Sequence, residues 1–595
     1  MLARLFAIAL LAFAHVAFAQ TTPAQNAALH ALFDREYQRD LQEFPEWATY
    51  LGIPGYNDRL HDASPEAVMR RKARVKSVLV ELAVFDPATL STQDRISLAM
   101  AIDDLRRIDA RAALYGELPF GGDWQDGWLK VTPASGPHSN FQSLARAMPF
   151  NNVRDYDNYL KRLEALPRLV EQTIAALEAG IKSGWMPPRV AMQRVPGQIG
   201  AFTGADATAS PFYAPFKTFP ASLPADERKR LSDAGEAVIK DRVQPAFVAF
   251  RQFVEAKYLL ACRDELASSK LPGGKRYYEL LIASSTTTDL TAQQVHDIGI
   301  AEVARIRVEM QTVIASTGFK GTIPEFVQSL KSNPQFFHKS AEEMLTHYRD
   351  IAKRADAELP KLFAELPRTP YGIRPMQPYE GDNAEHYTAG TLDGSRAGYF
   401  EANTNNLQRR TTYDMEAILL HEAVPGHHLQ IARAQELKGL PQFRRSASYV
   451  AYGEGWALYA ESLGNEMGMY RDAYAKFGQL SAEMWRACRL VVDTGLHAFG
   501  WTREQSIRYL IDNAGIQESA AIAETDRYII FPGQALGYKI GELKIKALRA
   551  KAQLALGDKF DIRRFHNALL DDGALPLTLL ELRIDEWIAA EKARG

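Results

Sequence analysis

The chain has 595 residues, 46% apolar and 24% charged, and its 70 basic and 72 acidic side chains leave a formal net charge of −2. That is the composition of a globular protein with a large core, long enough for two or more lobes. The charge balance argues against nucleic acid or an anionic membrane as partner, and two cysteines, Cys262 and Cys488, exclude a disulfide framework.

At the start, MLARLFAIALLAFAHVAFAQ holds Arg4, an apolar run from Leu5 to Ala14 and the small-x-small site Ala17-Phe18-Ala19. These are the three parts of an export signal, with cleavage expected after Ala19. The run is too short for a membrane anchor. No cysteine follows it to carry a lipid, and no later segment is long and apolar enough to span a bilayer. The mature chain is therefore expected in the periplasm, or secreted.

Most of the remainder reads as long amphipathic helices punctuated by Pro and Gly. The stretch ADERKRLSDAGEAVIKDRVQPAFVAFRQFVEAKYLL predicts a helical run broken near Pro245. Residues 185–224, with RVPGQIGAFTG and SPFYAPF, read as ordered loop. A break at LPGGKRYY, near residue 272, predicts an N-terminal helical lobe over 20–272 and a C-terminal catalytic lobe over 273–595. Thr291 and Gln294 form a capping box for the helix that follows. In residues 341–359, Met344, Tyr348, Ile351 and Ala352 share one helical face. Residues 366–404 are less helical. Their best strand candidate, Arg396 to Thr404, is expected to be a cleft-edge strand on which an extended peptide would pair.

The chemistry concentrates in HEAVPGHH, residues 421–428. Two imidazoles four residues apart on a helix can share one zinc ion. Here that position is Pro425, and histidines follow only at His427 and His428. In an undistorted helix His421 and His427 would stand about 120° apart around the axis, and His421 and His428 about 10.5 Å apart along it. Neither pair chelates unless the helix bends. Pro425 cannot donate to the His421 carbonyl and crowds it, while Gly426 tolerates unusual backbone angles. The expected result is a helix with two residues looped out, a second ligand at His427, with His428 the alternative, and Glu422 placed to take a proton from the attacking water. A catalytic zinc needs a third protein ligand. In YGEGWALYAESL, Glu454 is the favoured ligand, and Glu461, seven residues on, is expected to hold the ring N–H of a ligating histidine.

Gly426-His427 resembles the Gly-His of the M3 oligopeptidase signature with a two-residue insertion before it, and Glu454-Gly455-Trp456 resembles the E-x-W segment that carries its third ligand. HEAVPGHHLQ, YGEGWALYAE, VVDTGLHAFGW and RYIIFPGQALGYKIG together resemble a widespread bacterial family still catalogued as a domain of unknown function. That family is similar to the gluzincins, mainly helical metallopeptidase-like proteins related in architecture to the M3, M2 and M32 groups. The resemblance implies a mainly α, zincin-like fold with two helical lobes around a deep cleft and a small β-sheet next to the metal site. It also implies an oxyanion donor at Tyr538, because Gly537-Tyr538 is similar to the Gly-Tyr of the M2 and M3 groups.

Arg489, Asp493 and His497, spaced i, i+4 and i+8, line one helical face. They form either a buried salt-bridge ladder or support for the site, with Asp493 orienting a histidine and His497 or Arg489 reaching substrate. Arg527 is placed either against a peptide C-terminal carboxylate or in a structural ion pair. The expected function is an exported zinc metallopeptidase acting on short unfolded peptides, with Glu422 as general base and Tyr538 or His497 on the oxyanion. Such ligands also accept manganese or cobalt. A zinc hydrolase for a non-peptide amide or ester is the alternative. An inactive peptide-binding relative is a third reading, against which the intact Glu422 stands.

Overall fold

The computed structural model describes residues 26–376 and 384–594. The expected export signal, residues 1–19, lies outside the described residues. Helices make up most of the described chain: α1 (Ala27–Glu43), α2 (Thr92–Tyr115), α3 (Val153–Ser183), α4 (Gly274–Thr286), α5 (Ala292–Ser316) and α6 (Ala341–Leu362) precede a small sheet. After the sheet come α7 (Met415–Glu422), α8 (His427–Glu436), α9 (Val450–Leu463), α10 (Ala473–His497), α11 (Glu518–Ile530) and α12 (Gly537–Leu556), with shorter helices in the intervals. No helix among the described residues is long and apolar enough to cross a membrane.

Local signals account for many of these boundaries. Thr291 caps α5 through the Gln294 N–H while the Gln294 side chain returns to the Thr291 N–H, closing the capping box. Around Pro245 the chain does not break as expected. A π-helical turn over Ile239–Val243 joins the helix Ala225–Val238 to Gln244–Phe253 without a gap, and this wider turn takes up Pro245, which has no N–H to bond. Residues 185–224 form short helices and turns whose Phe202, Phe212 and Phe216 are buried. The Phe202 and Phe212 rings stack at 4.4 Å in an aromatic core built on Tyr156 and Tyr159 of α3.

The sheet has the order β1 (Tyr371–Pro375), β3 (Gly398–Ala402), β2 (His386–Thr388). β3 pairs in parallel with β1, Phe400 opposite Ile373, and antiparallel with β2, Phe400 opposite Tyr387. The strand expected within Arg396–Thr404 is thus present but central. Both its edges are occupied, so it offers no free backbone to a peptide, contrary to the cleft-edge expectation.

α10 is the pillar of the C-terminal half. From Ala487 to His497 every residue is buried, as expected of a helix covered on all sides. It packs along α5 and against α7. Core membership does not follow the break near residue 272: Ile96 and Met100 of α2 lie in the same buried cluster as Leu419 of α7 and Trp456 of α9.

Candidate metal centre

α7 carries His421 and Glu422 in its last turn, and α8 begins at His427. Between them the chain reverses through Ala423, at φ −103° and ψ −103°, and a cis Val424–Pro425 peptide. The reversal is tied at both ends: the Ala423 N–H still bonds to Leu419 O at 2.8 Å, and the His428 N–H bonds to Ala423 O at 3.1 Å. The Trp456 indole donates to Pro425 O at 2.8 Å. Gly426 lies over the His421 carbonyl so closely that a Cβ there would stand 1.9 Å from that oxygen. Where a single helix with two residues looped out was expected, there are two helices, because neither Ala423 nor Gly426 has helical angles.

This reversal brings His421 and His427 to Glu454 of α9. Glu454 Oε2 lies 3.4 Å from Nε2 of each histidine, and the three donor atoms lie within 4.8 Å of one another. Ligands about 2.0–2.1 Å from a tetrahedral ion are separated by about 3.3 Å, so the donor set fits zinc. The imidazoles stand edge to face, 89° apart. His421 Nδ1 donates to Glu461 Oε1 at 2.7 Å, which turns its Nε2 toward Glu454. Arg486 approaches the same Glu461 oxygen at 3.4 Å, and the Tyr470 hydroxyl donates to the Glu461 carbonyl at 2.6 Å. Burial disfavours a charged His421, but the Glu454 and Glu461 carboxylates outweigh it and raise its pKa to about 9. Burial likewise opposes ionisation of Glu454, yet the two histidines hold it well below the usual carboxylate range. The pocket is thus built to hold positive charge among these three side chains.

Glu422 is half-buried beside His421, and its carboxylate has no hydrogen-bond partner among the described residues. Tyr538, in the first turn of α12, lies parallel to the His421 ring at 6.5 Å. Its phenol is held protonated, chiefly by burial and next by the Glu454 charge. α12 reaches the site because it crosses α9 backbone to backbone: a Cβ on Gly541 would stand 1.8 Å from Ala451 O, and one on Gly455 2.4 Å from Gly541 Cα.

A model of the family described as "Bacterial protein of unknown function (DUF885)" matches residues 45–584. The chain belongs to the DUF885 family. A solved structure described as "the putative lipoprotein from Colwellia psychrerythraea" is similar to it with 30% identity and a TM-score of 0.88, over 95% of this chain and 99% of that one. A second, "a putative lipoprotein of unknown function from Shewanella oneidensis", has 17% identity and a TM-score of 0.61 over 94% and 99% of the two chains, and shares the fold. The comparison with curated proteins found no match.

The remaining residues singled out in this DUF885 sequence divide clearly. His428 is not with the ligands: it is buried, accepts from or donates to the Tyr387 hydroxyl through Nδ1 at 2.9 Å, and packs on Tyr371 at 4.7 Å. Burial lowers its pKa to about 4, so it joins the sheet to α8 as a neutral ring. His497 is also outside the site. Its Nδ1 accepts from the Ser268 N–H at 3.1 Å and its Nε2 donates to Tyr528 O at 2.9 Å, leaving nothing for an oxyanion. Asp493 orients no histidine; it accepts from the Tyr278 hydroxyl at 2.7 Å and from the Gly533 N–H at 2.9 Å, holding the turn that leads to Tyr538. Nor do the three residues of that face form a salt-bridge ladder with one another. Arg489 donates to the Tyr528 hydroxyl at 3.0 Å and to Glu524 at 3.2 Å, and its guanidinium lies 4.4 Å from the Tyr538 ring centre. Arg527 is paired with Glu524 at 2.8 Å and donates to Gln534 at 2.8 Å, the structural ion pair of the two readings. Sequence reasoning missed Arg486, three residues before Arg489 on α10, and Tyr387, whose role depends on a strand pairing that no local pattern announces.

Proposed function

We propose that this protein is an exported zinc-dependent peptidase of the gluzincin kind, acting on short unfolded peptides in a cleft between helical lobes. The observation that carries the reading is the convergence of His421, His427 and Glu454, with His421 held by Glu461 and Glu422 next to it in the chain. A zinc ion held by those three side chains would polarise a carbonyl and acidify water. Glu422 takes the proton from the attacking water and passes it to the leaving amine. Tyr538, kept protonated by its surroundings, donates to the carbonyl oxygen as charge develops there. Arg489 stacks under Tyr538 and favours that orientation. Export is supported by the tripartite segment ending at Ala19, and by similarity to a structure described as a putative lipoprotein.

The test is mass spectrometry of a length-graded peptide library incubated with the protein and with its Glu422→Gln variant, with metal content measured in both. We expect cleavage by the wild type alone, at least about 10²-fold above the variant, with equal metal. A fully active variant would remove Glu422 from the mechanism. Cleavage confined to non-peptide amides or esters would leave a zinc hydrolase and overturn the peptide substrate.

A further inference from the structure

A second cluster of metal-binding side chains sits at the other end of α7. His338 Nε2 lies 3.3 Å from the Met415 thioether sulfur and 3.2 Å from His347 Nδ1. The two imidazoles stand edge to face, 80° apart with centres 5.3 Å apart. Met415 is the first residue of α7 and fully buried, His347 projects from α6, and His338 precedes that helix. Two nitrogens and a sulfur from three separate places in the chain therefore meet at one point, His338 Nε2. Both histidines are partly exposed and the thioether is buried, so the sulfur forms the inner side of the cluster.

The bland reading is a pair of ordinary hydrogen bonds, and proton counting strains it. At His338 Nε2 one proton serves only one neighbour: His347 Nδ1 can carry its own hydrogen and donate to Nε2, but the Met415 sulfur has none to give. Glu343 Oε1 lies 3.6 Å from His338 Nδ1 and favours the proton on that far nitrogen. Nε2 then presents a lone pair to the sulfur. Burial lowers the pKa of His347, and His338 and the Arg354 guanidinium lower it further. A shared cation would engage all three atoms at once.

The donor types choose the ion. A thioether is a soft, uncharged ligand that binds zinc and the hard divalent cations poorly and Cu(I) well, and imidazole suits copper too. Three ligands about 2.0 Å from a trigonal ion stand about 3.5 Å apart. The two separations from His338 Nε2, 3.2 and 3.3 Å, come within a few tenths of an ångström of that spacing. We infer that His338, His347 and Met415 form a Cu(I)-binding site, distinct from the candidate zinc centre and independent of whether that centre is catalytic.

The test is titration of the full-length protein with Cu(I) under a reductant, in competition with bicinchoninate, followed by copper X-ray absorption. We expect one equivalent bound, with sulfur among the ligands. Met415→Leu conserves volume, and His347→Asn alters a half-buried ring; both should keep the wild-type circular dichroism while Cu(I) affinity falls by roughly tenfold or more. His427→Ala should keep its Cu(I). Binding that survives both cluster variants, a copper shell without sulfur, or loss in His427→Ala alone would each overturn the assignment. So would a wild type that takes up no Cu(I).

Discussion

Gly426 decides the geometry of the candidate centre more than any ligand does. Its hydrogen faces the His421 carbonyl where a methyl group would stand 1.9 Å from the oxygen, and the Leu420 carbonyl oxygen, 2.4 Å from the same point, is backbone too and leaves little room to yield. Gly426→Ala should therefore open the reversal and pull His427 from Glu454. We expect a loss of about 1–3 kcal/mol of stability and a large drop in bound zinc, read by thermal denaturation and by metal analysis after dialysis. His427→Ala should also lose zinc, whereas His428→Asn should keep it, because His428 faces Tyr387 and Tyr371. Equal zinc retention in all three variants would refute this ligand set. The motif was legible because Pro425 falls four residues after His421, where its missing N–H must interrupt a helix. The choice between His427 and His428 was not, since it depends on the backbone angles of Ala423 and Gly426. His497 shows the complementary limit: spacing placed it on one face with Arg489, but not what that face packs against.

At the scale of elements, the site is assembled by helices that touch without side chains between them. α9 supplies Glu454 and Glu461, α12 supplies Tyr538, and the two meet at Gly455 and Gly541. Gly541→Ala should push α12 outward and move Tyr538 from the site. Turnover should fall more than zinc content, because the ligands lie on α7, α8 and α9; unchanged turnover would dissociate Tyr538 from catalysis. The turn before α12 depends on Asp493, whose burial raises its carboxyl to about 7 despite the Tyr278 and Gly533 hydrogen bonds. The folded state then holds a proton that the unfolded chain releases from about pH 4 upward. This contribution is complete below that pH and is lost as pH rises toward 7. Asp493→Asn removes the dependence. Its stability relative to wild type should improve by up to a few kcal/mol between pH 4.5 and 7.5 in denaturant titrations, and a flat difference would count against a neutral Asp493. Helices such as α5 were readable from capping and periodicity. The sheet order was not, because β1, a parallel neighbour, joins β3 across an intervening strand and its pairing leaves no local signature.

Across the whole molecule, the break near residue 272 was read from Pro and Gly, which report where the chain turns and not which core a segment joins. α2 joins both halves, its Leu98 packing with Leu29 and Leu32 of α1 and its other face with the C-terminal half. Its Ile96 and Met100 pack with Leu419 and Trp456, and its Asp104 accepts from the Tyr449 hydroxyl at 2.8 Å. Arg444, just before α9, is buried and donates to the Gln93 side chain at 2.8 Å and to Ser97 Oγ at 3.2 Å, while its other nitrogen donates to Asp572 O at 2.6 Å. Phe33 of α1 packs on Phe443 at 5.1 Å. A fragment of residues 273–594 would leave the Arg444 guanidinium short of partners, a loss of roughly 3–5 kcal/mol if it stays buried, and would open the core where Ile96 and Met100 were. Native domains are stable by only about 5–15 kcal/mol, so the fragment should not hold its fold. We expect it to lack a cooperative calorimetric transition and a native near-ultraviolet circular dichroism spectrum, while residues 26–594 unfold with α2 and the helices of the candidate centre in one step. A fragment that melts cooperatively and retains zinc would show that the residues before 273 are an appendage to the centre and not part of its foundation.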